Sequence, residues 1–491
     1  MKIDVNHRLY PGRAVLLALC VLCSGLIAPN LCAEEATRPT ITVGELQEAA
    51  NATGNTQSSS LRDVVAQAIA NNPDVRAAAY NRLARNEEVV QARAGYLPSL
   101  DLDAGAGIDD VKKPVDETID PRSARLSLRQ NIFAGFGTKN EIERQKARVE
   151  AQAYIVRDTA NNVALQTADA FLQALRNQEL VNLAKENLVM HERIADQIRL
   201  RSESGVDRRA DQDQIQSRLN LAKSNLIINE QNLEDARSSF MAVTGFFPGL
   251  LEKPRQVNED MLPPSLDEAQ QKAVAAHPRL LSANMDVEAR REQDQVSWSA
   301  FLPVVDLEVD KTYEKDTDYS SDYSGDERED LRLFLRLRYN FFNGWKDKAR
   351  KSETEQLIQE AREIRSHTHR QTVESTRLSW QSWQSTQKRI EFLRRRAAFA
   401  RSTAEAYAKQ WNISQRTLLD VLDAEAERID AAQQLVAAEY DGLYAECRIL
   451  NSLGLLLPAL GVPWPDEGAL QGVVGEQIED RSVMGDANRA N

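Results

Sequence analysis

Two segments in each half of the chain alternate apolar and polar residues with a period of two. In the first half the alternation covers residues 99–109 and 124–133, and in the second half residues 304–313 and 331–341. This period is typical of strands with one apolar and one polar face. Each predicted strand is about ten residues long, which is the length that crosses a bilayer when the strand is tilted.

Very long helical patterns follow each pair of strands. Residues 138–204 and 346–411 contain no proline and no glycine, and at ~1.5 Å per residue each predicted helix is roughly 100 Å long. After a turn near Gly205 or Asn412, a returning helix of about half that length carries apolar residues at seven-residue spacing, which is typical of a coiled coil. Before each strand pair we expect one further helix, over residues 60–96 and 265–301. A returning helix and a pre-strand helix, placed end to end, would match one long helix.

The two halves of the chain are copies of one plan. Residues 60–104 recur about 205 positions later, and residues 131–245 recur 209 positions later. Thus Asn72-Pro73 returns as His277-Pro278, and Gly245 returns as Gly454. A repeat of this length exceeds an ordinary solenoid period, so it indicates two copies of one large unit related by pseudo-symmetry.

The first residues are typical of a secretory signal. Arg8 and Arg13 precede an apolar run, and Leu31-Cys32-Ala33 is the predicted cleavage site. An uncleaved membrane anchor is the alternative. Cys447 is the one cysteine after this segment, so no internal disulfide is expected. The predicted organisation is a signal peptide (1–33), a flexible arm (34–59), a first repeat (60–245), a linker (246–264), a second repeat (265–454) and a C-terminal tail (455–491).

Composition narrows the class of protein. The net charge of −13 argues against a nucleic-acid partner. After the signal no apolar run approaches 18 residues, so a membrane role would have to use strands. No nucleophile–base set, phosphate-binding loop or zinc-ligand spacing is present, so we expect neither an enzyme nor a cofactor. The acidic stretch 314–330 is interpreted as a solvated loop, with a calcium site as the alternative.

Four strands cannot close a barrel, and an open sheet edge cannot face lipid. Three copies would supply twelve strands, which close into a barrel with an aqueous interior. The alternatives are the edge of a soluble sandwich, which leaves the long helices without a role, and a periplasmic coiled-coil adaptor, which would need no amphipathic strands.

From Leu61 to Pro465 the chain resembles the TolC-like outer-membrane channels of bacteria. The resemblance depends on the duplication, the Asn-x-Phe-x-Gly turns at Asn131 and Asn340, and the segment RTLLDVLDA that begins at Arg416. It implies a mainly α fold with membrane β-strands, in which a homotrimer forms a 12-strand β-barrel on a 12-helix periplasmic α-barrel. It also implies a duct that docks on a periplasmic adaptor and an inner-membrane ABC transporter or proton-driven pump.

The resemblance further assigns a gate at the periplasmic tip. Asp420 and Asp423 lie three residues apart, on one helix face, and three chains would gather six carboxylates in a ring that favours cations. The alternative is a solvated acidic face. The resemblance assigns Arg416, Asp211 and Trp411 to tethers that hold the tip closed. Ala210 stands where the family has a threonine partner for the arginine, so Asp207 or Asp213 could replace that partner.

Aromatic residues gather at the predicted strand ends. They are typical of the girdle at the periplasmic face of an outer membrane, with a role in the core as the alternative. The candidate girdle residues are Phe133, Phe136, Tyr339, Phe341, Phe342 and Trp345, together with Tyr96.

Two kinds of cargo fit the predicted duct. The absence of a lipoprotein cysteine and the run GYLPSL at residues 95–100 favour type I secretion of a large protein such as an adhesin. The alternative is a multidrug or metal efflux pump.

Overall fold

The computed structural model describes residues 59–111, 117–203, 209–254, 261–315, 327–413 and 415–469. The predicted signal peptide, most of the predicted arm and the middle of the acidic loop lie outside the described residues. Among the described helices, none is both long and apolar enough to cross a membrane.

Nine α-helices account for most of the described residues. The first half contains α1 (Leu61–Asn71), α2 (Pro73–Ala94), α3 (Gly137–Glu203) and α4 (Arg209–Thr244). The second half contains α5 (Leu266–Ala276), α6 (Pro278–Trp298), α7 (Lys346–Asn412) and α8 (Leu418–Ser452), followed by the short α9 (Leu456–Ala459). The long helices α3 and α7 have 67 residues each, so the prediction of two very long helices is confirmed.

The prediction of one uninterrupted helix before each strand pair is wrong. Asn72 separates α1 from α2, and its side-chain oxygen accepts a hydrogen bond from Asp74 N at 2.8 Å. His277 separates α5 from α6, and its Nδ1 accepts from Arg279 N at 3.2 Å. The proline that follows each of these residues has no N–H to donate and disfavours helical backbone before it. Each proline therefore begins a new helix, which the preceding side chain caps.

The main sheet contains four antiparallel strands in the order β1-β4-β5-β6. These are β1 (Ser99–Ala106), β4 (Arg122–Ala134), β5 (Val304–Lys315) and β6 (Glu327–Arg338). A bulge interrupts the β4–β5 register between Asn131 and Phe133. The short β2 (Asp109–Val111) and β3 (Glu117–Ile119) form a separate hairpin that extends from β1 and β4.

The register gives the sheet one apolar and one charged face. Leu100 lies opposite Leu128, which lies opposite Val309, and Val309 lies opposite Leu333. On the other face, Arg129 lies opposite Glu308. The four leucines of β6 at positions 331, 333, 335 and 337 are 65–71% exposed. The edges of this sheet are β1 and β6, and neither edge has a further strand beside it among the described residues.

The helices lie side by side in a row. On one side α3 packs against α2 near the sheet and against α4 farther away, and on its other side it packs against α6 and α8. Helix α7 packs against α5, α6 and α8. Pairs of shorter helices therefore lie along each long helix, as predicted from their lengths.

The largest apolar cluster lies about halfway between the sheet and the tip of the helices. It joins α1, the middle of α3, the end of α4 and the end of α8. Leu456 and Leu457 of α9 are fully buried in it, and Arg157 of α3 donates from Nε to the carbonyl oxygen of Gly468 at 2.6 Å. Residues 455–469, placed by prediction in the C-terminal tail, are thus packed on the helices.

The turn from sheet to long helix has the same backbone in both halves. Gly135 and Phe136 have φ angles of 59° and 63°, and Gly344 and Trp345 have φ angles of 71° and 67°. All four residues are left-handed, a conformation that costs a residue with a Cβ atom about 1–2 kcal/mol. At Gly135 a Cβ atom would lie 2.7 Å from the carbonyl oxygen of Ser299, so only glycine fits there.

Candidate gate and membrane interface

Four helix ends meet far from the sheet and form the tip of the chain. Here the end of α3 packs with the start of α4, and the end of α7 packs with the start of α8. An apolar tip cluster holds them together, with Trp411 only 6% exposed. Its buried members are Ile194, Ile198, Ile215, Trp411, Leu418, Val421 and Leu422. Four of these side chains, those at positions 215, 418, 421 and 422, lie on the returning helices α4 and α8.

Asp420 lies in the first turn of α8, where it takes part in a capping box. The backbone N–H of Thr417 donates to Asp420 Oδ2 at 3.1 Å, and Asp420 N donates to Thr417 Oγ1 at 3.3 Å. These bonds satisfy two backbone groups at the helix start. Hydrogen bonds from the Thr417 hydroxyl and backbone lower the pKa of Asp420 below its ordinary value, so its carboxylate is charged at neutral pH.

Asp423 follows one helical turn later and has a different partner. Its Oδ1 lies 3.2 Å from Nη2 of Arg218 on α4, so the pair joins the first half of the chain to the second. Sequence reasoning missed Arg218. The 209-residue offset aligns Gln214 with Asp423 and so places Arg218 one turn from the equivalent position, but it does not show that the two side chains meet.

The predicted tether residues lie at the tip, but their contacts differ from those expected. The Arg416 guanidinium lies 4.3 Å from the ring centroid of Tyr407, and its Nε donates to Gln410 Oε1 at 3.1 Å. Both partners are on α7. The ring of Trp411 lies under the guanidinium of Arg201, 5.3 Å away.

Within the described residues, no hydrogen bond joins Asp211 to Trp411, and none joins Asp213 to Arg416. Asp207, the other proposed partner of Arg416, lies outside the described residues. In this single chain Arg416 therefore holds the end of α7, and its role as a tether stays a prediction.

The predicted girdle residues form edge-to-face pairs at the junction of sheet and helices. Phe133 pairs with Phe136, with ring centroids 5.2 Å apart. The second half contributes two such pairs: Tyr339 with Phe341 at 4.8 Å, and Phe342 with Trp345 at 5.7 Å. All six except Phe133 are exposed, which argues against a role in the core.

A further aromatic pair at this junction escaped the sequence reasoning. Trp298 and Phe301 precede β5, their ring centroids are 5.4 Å apart, and both are exposed. The repeat offered a signal for one of them, because the 205-residue offset aligns Phe301 with Tyr96.

The chain matches the family described as "Outer membrane efflux protein" over residues 64–245 and 269–455. The match covers both halves and more than half of the chain, so the protein belongs to this family. Members of the family are channels rather than enzymes; they form trimers and work with adaptors and inner-membrane transporters. The protein is therefore placed in the outer membrane, with a part in the periplasm.

Known proteins agree with this placement. The chain is 24% identical over 416 residues to outer membrane protein TolC of Salmonella enteritidis, covering 82% of this chain and 83% of TolC. It is 23% identical over 421 residues to the proteases secretion protein PrtF of Dickeya chrysanthemi, covering 82% and 90%. The solved structure of CusC superposes with a TM-score of 0.70 at 17% identity, covering 82% of this chain and 92% of CusC. The predicted TolC-like fold is confirmed.

Proposed function

We propose that three copies of this chain form a duct through the outer membrane, and that the duct is an exit route rather than an enzyme. The observation that carries this proposal is the open amphipathic sheet. Its leucines are exposed on one face, and its edges β1 and β6 lack partners among the described strands. Because β1 and β6 run in opposite directions, β6 of one copy can pair antiparallel with β1 of the next, which removes the edges.

The helix row supports the same closure. Large apolar residues on α7 are exposed at spacings that are multiples of seven, with Phe392 and Phe399 67% and 73% exposed. Helices at the opposite end of the row carry a similar stripe. The exposed positions are Ile364, Leu378, Phe392 and Phe399 on α7, Leu83 and Val90 on α2, and Leu221 and Ile228 on α4. Seven-residue spacing is the pattern of a coiled-coil seam, and two different complementary edges build a closed ring.

In this trimer we assign the gate to the tip. Asp420 and Asp423 of three chains would form a ring of six carboxylates that attracts cations. The tip cluster and the Arg218–Asp423 pair hold each chain in the closed arrangement, while Arg416, Asp211 and Trp411 are the proposed tethers. The exposed aromatic pairs at the sheet–helix junction would lie in the membrane interface, where such rings are enriched.

For the cargo we propose type I secretion of a large protein such as an adhesin, with a periplasmic adaptor and an inner-membrane ABC transporter as partners. Similarity to PrtF, whose name describes secretion of proteases, supports this choice. The second candidate is multidrug or metal efflux with a proton-driven pump; the word "efflux" in the description of the family supports the efflux part of this candidate.

One experiment tests the duct, and a second tests the cargo. Purified full-length protein should migrate as a trimer in detergent and form ion channels in planar bilayers. The double variant Asp420→Ala/Asp423→Ala should lose cation preference; an unchanged preference would refute the ring, and a monomer without conductance would refute the duct. In a deletion strain, loss of a secreted surface protein with normal drug sensitivity supports secretion, and the reverse supports efflux.

A further inference from the structure

Two acidic side chains on the charged face of the sheet are almost completely covered. Asp306 and Glu308 of β5 are 3% and 7% exposed. Asp306 Oδ1 accepts from Asn131 Nδ2 at 2.8 Å, and its Oδ2 accepts from Arg338. The two oxygens of Glu308 accept from Arg129 at 3.1 Å and from Arg336 at 2.8 Å. Every carboxylate oxygen of this group therefore has a partner within the sheet.

The arginines that cover these carboxylates face the surrounding space. The side chains of Arg129, Arg336 and Arg338 are 56%, 51% and 54% exposed. Three guanidinium groups against two carboxylates leave one positive charge per chain. Within this group the exposed side chains are thus cations, and the two acidic side chains are beneath them.

The position of this group follows from the register. Asp306 and Glu308 lie near the start of β5, next to the end of α6. They share the face opposite the exposed leucines. If the leucines contact lipid, as in the proposed trimer, this face lines the water-filled interior. The group therefore lies inside the barrel, at the end nearest the helices.

We infer that Arg129, Arg336 and Arg338 of three chains form a cationic belt that attracts anions where substrate passes from the helices into the barrel. This inference rests on the proposed trimeric duct. A guanidinium group is always charged and presents a planar fork of donors that suits carboxylate and other oxyanions. The covered carboxylates fix the arginines in place, so the belt is arranged before an anion arrives. The duct would then have an acidic tip and a basic belt.

The belt is tested by changing its charge in both directions. Full-length trimer is placed in planar bilayers between unequal KCl solutions, and the reversal potential gives the ratio of anion to cation permeability. Arg336→Gln should lower this ratio and Glu308→Gln should raise it, each by about two-fold at 0.1 M KCl and by less at 1 M, because salt screens charge. Arg336→Lys and the double variant Glu308→Gln/Arg336→Gln preserve net charge and should leave the ratio unchanged.

A matched control uses the other face of the same sheet. Lys311 lies opposite Leu331 in the apolar register and pairs with Glu329 at 2.9 Å. Lys311→Gln removes the same charge as Arg336→Gln, but it should not change the ratio.

Failures of the belt and of the duct give different results. Channels whose ion preference is the same in Arg336→Gln and Glu308→Gln as in the unmodified protein would overturn the belt. Absence of channels from the unmodified protein would instead overturn the duct. If Arg336→Gln fails to assemble because Glu308 loses a partner, Glu308→Gln still decides, since it leaves no buried charge unpaired.

Discussion

Arg218 of α4 and Asp423 of α8 form an ion pair 3.2 Å long that connects the two halves of the chain at the tip. Both side chains are partly exposed, so the pair contributes about 0.2–1 kcal/mol. The pair matters because of its position. Through it Asp423, a carboxylate of the proposed gate, binds helix α4 of the other repeat.

We expect Arg218→Ala to loosen the closed tip. If each chain loses about 0.5 kcal/mol of stabilisation of the closed tip, the open fraction of the channel should rise by about two-fold for each pair. High salt should reduce the difference between the variant and the unmodified protein, because salt screens the ion pair. Single-channel recordings measure this fraction. The control is Arg237→Ala, because Arg237 pairs with Glu234 of its own helix at 2.7 Å. Equal open fractions in the Arg218 variant and the unmodified protein would contradict the prediction.

Gly245 and Gly454 occupy equivalent positions after α4 and α8 but differ in their surroundings. Both are left-handed, with φ of 84° and 74°. A Cβ atom at Gly245 meets nothing within 4 Å, whereas at Gly454 it would lie 2.6 Å from Pro278 Cδ. Gly245→Ala should therefore cost about 1 kcal/mol of unfolding free energy through backbone strain. Gly454→Ala should cost about 1–3 kcal/mol more through overpacking.

Thermal unfolding followed by circular dichroism compares the two glycine variants. A midpoint for Gly454→Ala equal to that for Gly245→Ala would show that the contact with Pro278 relaxes without cost.

His277 should make stability depend on pH. Its Nδ1 caps α6 by accepting a hydrogen bond, which requires that nitrogen to be unprotonated. Burial lowers the pKa of His277, and the neighbouring Asp158 and Arg279 shift it in opposite directions. A lowered pKa means that the unfolded chain binds the proton more tightly. The stability that His277 contributes is therefore complete above about pH 6.5 and is lost as pH falls below that value.

Asp158 contributes to stability with the opposite dependence on pH. Burial raises its pKa above the ordinary value, so its contribution is complete at low pH and is lost as pH rises through the shifted value. We expect the midpoint temperature of unfolding of the unmodified protein to decrease when the pH is lowered from 7.5 to 5.5. His277→Asn, which copies the cap that Asn72 provides in the first half, should flatten this dependence. Replacement of the exposed His367 is the control, and an unchanged slope in His277→Asn would exclude the cap as its cause.

The sequence predicted the parts of the fold that local patterns encode. Period-two alternation identified the strands, and the absence of proline and glycine identified α3 and α7. The break at Pro73 was missed although the proline was visible, because helical pattern continues on both sides and a proline is tolerated in the first turn of a new helix. A proline within a helical pattern therefore permits two interpretations, and the cap at Asn72 decides between them.

The partners of the gate residues depend on packing that spacing does not encode. Arg218 and Asp423 are 205 positions apart, and their contact requires α4 and α8 to pack at one particular rotation. Arg416 contacts Tyr407 because the chain reverses direction between α7 and α8. Similarity to a family indicated which residues lie at the tip, but it did not indicate which side chains meet there.

Because of the breaks at Pro73 and Pro278, the helices of the row do not all transmit a displacement along their length equally well. Helices α3 and α7 run from the sheet to the tip without interruption, so each is a continuous lever about 100 Å long. The pairs α1–α2 and α5–α6 are instead jointed at Asn72 and His277, where the proline that follows cannot donate a hydrogen bond. A displacement of the tip would therefore reach the membrane end through α3 and α7, while the jointed helices bend at their prolines.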